Sequence, residues 1–355
     1  MRAVSPVRGS QPRTRSKISI AMASYNGEPY LEEQLESIAA QHVLPLELVI
    51  TDDGSVDATP QIVAAFAQRA PFPVRFFSNP ERLGYADNFL RAVSLCAGDF
   101  IAFSDQDDVW HPEKLARVAA EFSASNCDVV IHTAVVVDAA LAPSGLLHPR
   151  VRKRRIVGPG GFDPWVIVPG MAMTAKRELF TIVDPANRPN ARLTQDVVIM
   201  KHDEWLYFIG TALGRVALIP DPLVKYRQHG SNAAGPPAAL SSRSRARMAR
   251  SAGESAYVLL ARRAQDYAVF LRGLNVTREP YAQRFPASIA FYERLAQRLN
   301  LRSSLYAPNV SVRQRALILT QLIAGGAYRI DRAGALTLGS LAKDALCAIG
   351  WFRVR

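Results

Sequence analysis

Three carboxylates fall within four residues of the stretch SDQDDVW, residues 104–110: Asp105, Asp107 and Asp108. Like charges this close hold protons on one another unless a cation sits among them. Carboxylate oxygens suit a hard divalent ion, Mg2+ or Mn2+. Mg2+ commonly takes one or two protein carboxylates and completes its shell with substrate phosphates. The stretch therefore reads as half of a nucleoside diphosphate site, with a solvated acidic turn as the plainer alternative. Asp108 also suits a helix start ahead of Pro112, where a carboxylate meets the positive end of the helix dipole.

Three further groups could join it. Asp52 and Asp53 lie in DDGS, which follows the apolar run ELVIT. A carboxylate there can accept from a ribose hydroxyl or a base N–H, although Asp-Gly-Ser is also ordinary turn chemistry. His202, Asp203 and Glu204 stand together in HDEWL. An acceptor hydroxyl needs a general base within hydrogen-bond reach, and a carboxylate can serve; an exposed acidic helix turn has the same spacing. Arg227 and His229 lie in YRQHG. Arg can neutralise a diphosphate, and His can ligate a metal or bond a phosphate, although a lone His is more often structural.

These groups need elements to place them. KISIAM (17–22), ELVIT (47–51), VRFF (74–77), DFIAF (99–103) and DVVIHTAVVV (128–137) have strand character. Between them run helical patterns: one opened by Pro29, one by Thr59-Pro60, one carrying Phe89, Leu90, Val93 and Cys96 and ended by Gly98, and one started by Pro112. Strand–helix repetition at this spacing predicts a parallel sheet covered on both faces. SYNG (24–27), DDGS and SDQDD each follow a strand, and ligands of open parallel sheets bind at the carboxyl ends of strands. Residues 140–162 read as a basic, Gly/Pro-rich loop. A mixed segment ends in the strand RVALI (215–219) and the turn IPDP. Residues 233–246 read as a linker, and the pattern beyond 247 is helical.

The chain has 355 residues, 49% of them hydrophobic, enough for one large domain or two medium ones. Its three cysteines, Cys96, Cys127 and Cys347, form no metal-type pair and no even disulfide framework, which fits a reducing compartment. The first 16 residues are basic and lack the apolar core of a secretory signal, so a disordered tail is expected there. No apolar run reaches the length that spans a membrane. The net charge of +12 permits nucleic acid, an anionic membrane surface or phosphorylated substrates as partners. Its basic runs, RVRKRR (150–155) and RSRARMAR (243–250), lack the aromatics of a single-strand stacking platform. No G-x-G-x-x-G follows a strand, and neither a P-loop nor a G-x-S-x-G elbow is present.

In order and spacing the motifs resemble the inverting glycosyltransferases of family 2. The matching stretches are ISIAMASYNG, ELVITDDGSVDAT, NPERLGYADNFLRAV, AGDFIAFSDQDDVWHPEKL, PGMAMT, HDEWL and YRQHGSN, over residues 17–232. The wording of SDQDDVW and YRQHGSN is closest to the bacterial rhamnosyltransferase-like subgroup, which builds O-antigen and other surface polysaccharides. The resemblance implies a GT-A fold: an α/β, Rossmann-like, mostly parallel sheet over 17–232, followed by a helical C-terminal region over 247–355.

It also implies roles. Ala23 and Tyr25 would line the base. Asp53 would bind base or ribose, with Asp52 beside it. Asp107 would hold the metal, with Asp105 nearer the ribose or sugar and His229 assisting at metal or diphosphate. Arg227 would neutralise the diphosphate, Gly170 and Met171 would lie in an acceptor- or phosphate-facing loop, and Asp203 would be the catalytic base. His202 stands where the family usually keeps a Glu. The implied activity is transfer of a sugar, L-rhamnose from a dTDP donor as the leading expectation, to a saccharide or lipid-linked acceptor with Mg2+ or Mn2+ as cofactor. A cytoplasmic location follows. The basic helices would dock on the inner membrane face or simply cap the catalytic domain. The rival readings are a metal-dependent nucleotide-sugar nucleotidyltransferase or pyrophosphatase on the same scaffold, and a basic nucleic-acid-binding module.

Overall fold

The computed structural model describes residues 17–166, 168–189, 199–230, 232, 253–328 and 338–350. The expected N-terminal tail (1–16), the linker (233–246) and the basic run 243–250 lie outside the described residues.

The first half alternates as its periodicity predicts. Strands β1 (Ile18–Ser24), β2 (Glu47–Asp52), β3 (Val74–Ser78) and β4 (Phe100–Ser104) are joined by helices α1 (Leu31–Ala39), α2 (Thr59–Ala67) and α3 (Tyr85–Leu95). They pair in parallel in the order β3-β2-β1-β4. Every residue of β1 and β2 is buried, as near-continuous apolar runs demand of strands covered on both faces. Gly98 does not end α3. That helix stops at Leu95, and Cys96 is already extended. Gly98 instead lets the chain pass β1: a Cβ there would stand 2.7 Å from the Lys17 carbonyl oxygen and the Ser19 nitrogen.

Beyond β4 the sheet is mixed, in keeping with the mostly parallel sheet expected. After the two-residue strand β5 (Val109–Trp110) and helix α4 (Lys114–Ser125) come β6 (Val129–Val137), β7 (Pro143–Leu147), β8 (Arg155–Val157), β9 (Met173–Lys176) and β10 (Val216–Arg227). β9 runs antiparallel between β4 and β6, whereas β10 is parallel to β6. The segment 140–162 therefore holds two short strands, β7 on β6 and β8 on β10, where a loop was expected. IPDP is no turn at a strand end. Pro220 and Pro222 lack the donor a regular ladder requires, and the chain passes them by register shifts between Ile219 and Val224 while β10 continues to Arg227. That continuation carries YRQHG to the acidic loop.

A short helix α5 (Leu179–Ile182) precedes α6 (His202–Leu213), and the chain continues into α7 (Glu254–Arg272), α8 (Tyr281–Tyr306), α9 (Val312–Ala324) and α10 (Leu338–Ala348). Tyr257, Tyr267, Tyr281 and Tyr292 of α7 and α8 share one apolar cluster with the sheet and with Trp205 and Phe208 of α6. Polar groups fasten the same joint. Buried Asp128, just before β6, accepts from Lys176 Nζ (2.8 Å), Arg215 N (2.8 Å), Arg284 Nη1 (2.7 Å) and Tyr281 OH (3.1 Å). No helix among the described residues is long and apolar enough to cross a membrane.

Candidate functional site

The acidic loop is held from three sides. From β1, Tyr25 N donates to Gln106 Oε1 (2.9 Å) and Tyr25 O accepts from Gln106 Nε2 (3.0 Å). Gly27 makes room for that amide, because a Cβ there would stand 2.5 Å from Oε1. From β10, Arg227 N donates to Asp108 Oδ1 (3.0 Å) and Arg227 Nε to the Asp107 carbonyl (2.7 Å). Beneath the loop lies Lys114, fully buried, its ammonium 3.4 Å from the Trp110 ring centre and donating to the Met171 carbonyl at 2.8 Å.

Asp105 is the unusual member. Its carboxylate takes no hydrogen bond among the described residues. Burial first, then the charges of Asp107 and Asp203, push it up to about 8. Asp203 stands in the first turn of α6, its Oδ1 accepting from Glu204 N at 2.8 Å. Two carboxylates more than ninety residues apart in sequence thus come near enough to interact, one just past a strand end and one in the first turn of a helix. Asp107 Oδ2 lies 2.8 Å from His229 Nε2 and accepts from Asn232 Nδ2 at 3.1 Å.

Several expected ligands are engaged elsewhere. Arg227 is 3% exposed, and its guanidinium also donates to Ala139 O (2.6 Å) and pairs with Glu33. It anchors the loop and does not reach outward as a diphosphate cation. Asp53 spends both oxygens on the segment after β3, accepting from Asn79 Nδ2 (2.9 Å), Leu83 N (2.7 Å) and Gly84 N (2.8 Å). Asp52 closes its own turn, accepting from Ser24 Oγ (2.9 Å) and Ser55 N (2.8 Å). Both acids spend most of their lone pairs on the protein's own groups. Asp108 is not at a helix start either: it is fully buried on β10, and α4 begins at Lys114. Gly170 and Met171 are buried in a 3-10 turn, with Gly170 against His202. They form the floor of the site and not a loop facing the acceptor.

His202 is a core residue. Its ring stacks on Phe89 (4.1 Å between centroids), and burial pushes it down to about 4, so it is neutral. Ala23 is nearly buried at the end of β1. Tyr25 is 37% exposed beneath the Arg82 guanidinium, 4.0 Å from its ring centre. Gln106, Arg82 and Lys114 were not singled out from the sequence. Gln106 sits inside the acidic motif and was masked by its charged neighbours; nothing local distinguishes the other two.

Among the described residues no group of three or more His, Cys, Asp or Glu side chains is placed to hold a metal ion. Two donors on adjacent vertices of an octahedral ion at about 2.1 Å stand about 3 Å apart, and Asp107 Oδ2 and His229 Nε2, 2.8 Å apart, have that span. An ion there would take two ligands from this pair and the rest from phosphate oxygens and water.

The sequence profile described as Glycosyl transferase family 2 matches residues 19–179. The dTDP-rhamnosyl transferase RfbG of Shigella flexneri is 31% identical over 221 residues, 60% of this chain and 73% of that protein. The chain belongs to glycosyltransferase family 2. An uncharacterized glycosyltransferase of Nostoc is 26% identical over 221 residues, 61% of this chain and 66% of its own length. Among solved structures, residues 1–349 of S. aureus TarS superimpose with a TM-score of 0.51 at 16% identity, covering 94% of this chain and 90% of that one. This likeness shows the fold, GT-A.

Proposed function

We propose that this family 2 member transfers a sugar from a nucleoside diphosphate donor to a hydroxyl of a saccharide or lipid-linked acceptor, with inversion. The reading is supported by family membership together with the placing of Asp105 just past β4 and Asp203 in the first turn of α6, near enough for the charge of Asp203 to act on Asp105. Tyr25 and Ala23 line the base side, and Asp105 faces the donor's ribose or sugar. Asp107 and His229, with Asp105, hold Mg2+ or Mn2+; the ion, when bound, supplies positive charge to the diphosphate leaving group. Asp203 receives the acceptor's hydroxyl proton as the acceptor oxygen bonds to the anomeric carbon and the bond from that carbon to the phosphate oxygen breaks. One displacement from the opposite face inverts the centre and needs no covalent enzyme intermediate. Residues 17–232 are the catalytic unit. The likeness to a dTDP-rhamnosyl transferase supports rhamnose from dTDP as the donor pair, and surface polysaccharide is the acceptor class proposed with it.

A nucleotidyltransferase or pyrophosphatase on this scaffold would leave Asp203 without a role. The Asp203→Asn variant separates them. Transfer, followed by the anomeric configuration of the product, should fall about 100- to 10,000-fold, the range of a general base, with the melting temperature preserved. Transfer at the wild-type rate would refute the base assignment, and a product of retained configuration would refute inversion.

A further inference from the structure

Seven large apolar side chains among the described residues are more than half exposed, and four of them belong to the last two helices. They are Val312 (54%), Leu317 (66%) and Ile323 (53%) on α9, and Ile349 (67%) directly after α10. The helical repeat gathers those of α9. At 3.6 residues per turn, Val312, Ala316, Leu317, Ile323 and Ala324 fall within one arc of about 140°, shared only with Arg313 and Thr320. Every residue of that arc is exposed. The other side of α9 is spent on packing: Leu322 is buried with Ala327 and Tyr328, and Ile318 and Leu319 rest against them. The chain leaving α10 adjoins the start of the arc, since a Cβ on Gly350 would stand 3.6 Å from Val312 Cγ2. Ile349, one residue back, extends the apolar surface beyond α9.

An ordinary solvent-facing helix carries charge of both signs on its outer face. α7 does so, with Glu254, Arg262, Asp266 and Arg272 exposed. The outer face of α9 has one charge, Arg313, and no acid. A contiguous apolar surface of this kind marks a place where something else is covered.

Charge decides what that is. From residue 311 onward the sequence holds seven Lys and Arg against two Asp and no Glu. One of those two, Asp344, is buried and bonded to Arg302, Tyr306 and Tyr328. Where α9 ends, Arg298 donates to the Gly325 carbonyl at 3.1 Å and adds a further cation. A second copy meeting this face with its own would set cation against cation. A nucleic acid would find apolar side chains where it needs phosphate donors. An anionic bilayer fits both properties: its headgroups take the cations, and its acyl boundary takes the apolar side chains.

We infer that α9 docks on an anionic phospholipid surface, with Val312, Leu317 and Ile323 inserted and Arg313 among the headgroups. The helix lies on the membrane and does not span it, since no helix among the described residues is long and apolar enough to cross. Docking would hold the sheet where a lipid-linked acceptor is presented. That link rests on the transferase reading; the docking itself does not.

The test is flotation of the full chain with vesicles of phosphatidylcholine, with and without one quarter phosphatidylglycerol, at moderate salt. Wild type should float with the anionic vesicles and far less with the neutral ones. The double variant Leu317→Asp with Ile323→Asp should float about tenfold less and keep its melting temperature, because both positions are exposed. Val312→Asp with Ile349→Asp serves the same purpose if the first pair does not fold. Arg313→Glu should weaken flotation less than either pair. The docking face is overturned if wild type does not float, if it floats equally with neutral vesicles, or if a folded double variant floats as wild type does. An oligomer in solution that the double variant breaks, seen by light scattering, overturns it too, because the face then belongs to a second copy. Asp203→Asn should float like wild type whatever its transfer rate, so failure of the base assignment and failure of the docking are told apart.

Discussion

Two acids in this molecule show how differently a fold can treat a carboxylate. Asp344, on α10, is fully buried and receives Arg302 Nε (2.8 Å), Arg302 Nη2 (3.0 Å), Tyr328 OH (2.5 Å) and the Tyr306 hydroxyl. Asp105, part-buried just past β4, receives no donor among the described residues and sits among Asp107, Asp108 and Asp203. The first arrangement is complete and needs nothing further. The second is a cost until positive charge or a proton arrives, and proteins carry such costs chiefly at working sites.

Substitution should therefore move the two acids in opposite directions. Asp344→Ala strips a buried guanidinium of its partner and should lose about 3–5 kcal/mol in denaturant unfolding. Asp105→Asn removes like-charge repulsion and should raise the metal-free melting temperature while turnover collapses. If Asp105→Asn destabilises as Asp344→Ala does, the contrast fails.

Lys114 tests the charge beneath the loop. Burial pushes its ammonium well down, and Asp108 and then Asp105 oppose that. Lys114→Met should cost about 1–3 kcal/mol, because the Met171 carbonyl loses its donor inside the protein. No loss of stability would mean that the loop does not depend on this counterweight.

A further effect belongs to pH. Burial holds His202 down to about 4 and His132 down to about 3. In the unfolded chain both take protons below about 6.5. The unfolded state then binds more protons, so stability falls as pH drops from about 6.5 toward 4. The melting temperature should decline by several degrees over that window, and His202→Phe should flatten the decline. An unchanged slope in that variant would deny His202 its share.

The parallel half of the fold was legible because its strands are unbroken apolar runs with helices of regular spacing between them. The second half was less so, because β10 passes through two prolines that locally spell a turn, β7 is exposed along its whole length and has no buried apolar run, and β8 has only three residues. Among site residues, the chemistry of Asp105, Asp107 and His229 was readable as residue types. What could not be read was who satisfies whom. Arg227 and Asp53 looked like ligand groups until the structure supplied Glu33, the Asp107 carbonyl and the backbone of Leu83 and Gly84 as their partners. Long-range pairing of this kind leaves no local trace in sequence.

The Asp128 knot bears on how the terminal helices of such a scaffold can be exchanged. Tyr281 and Arg284 of α8 close it, so those helices are keyed to the sheet by a buried charge. A chimera that grafts another protein's terminal helices onto this sheet must bring both keys with it. Without them it leaves Asp128 with one counter-ion fewer at the root of β6.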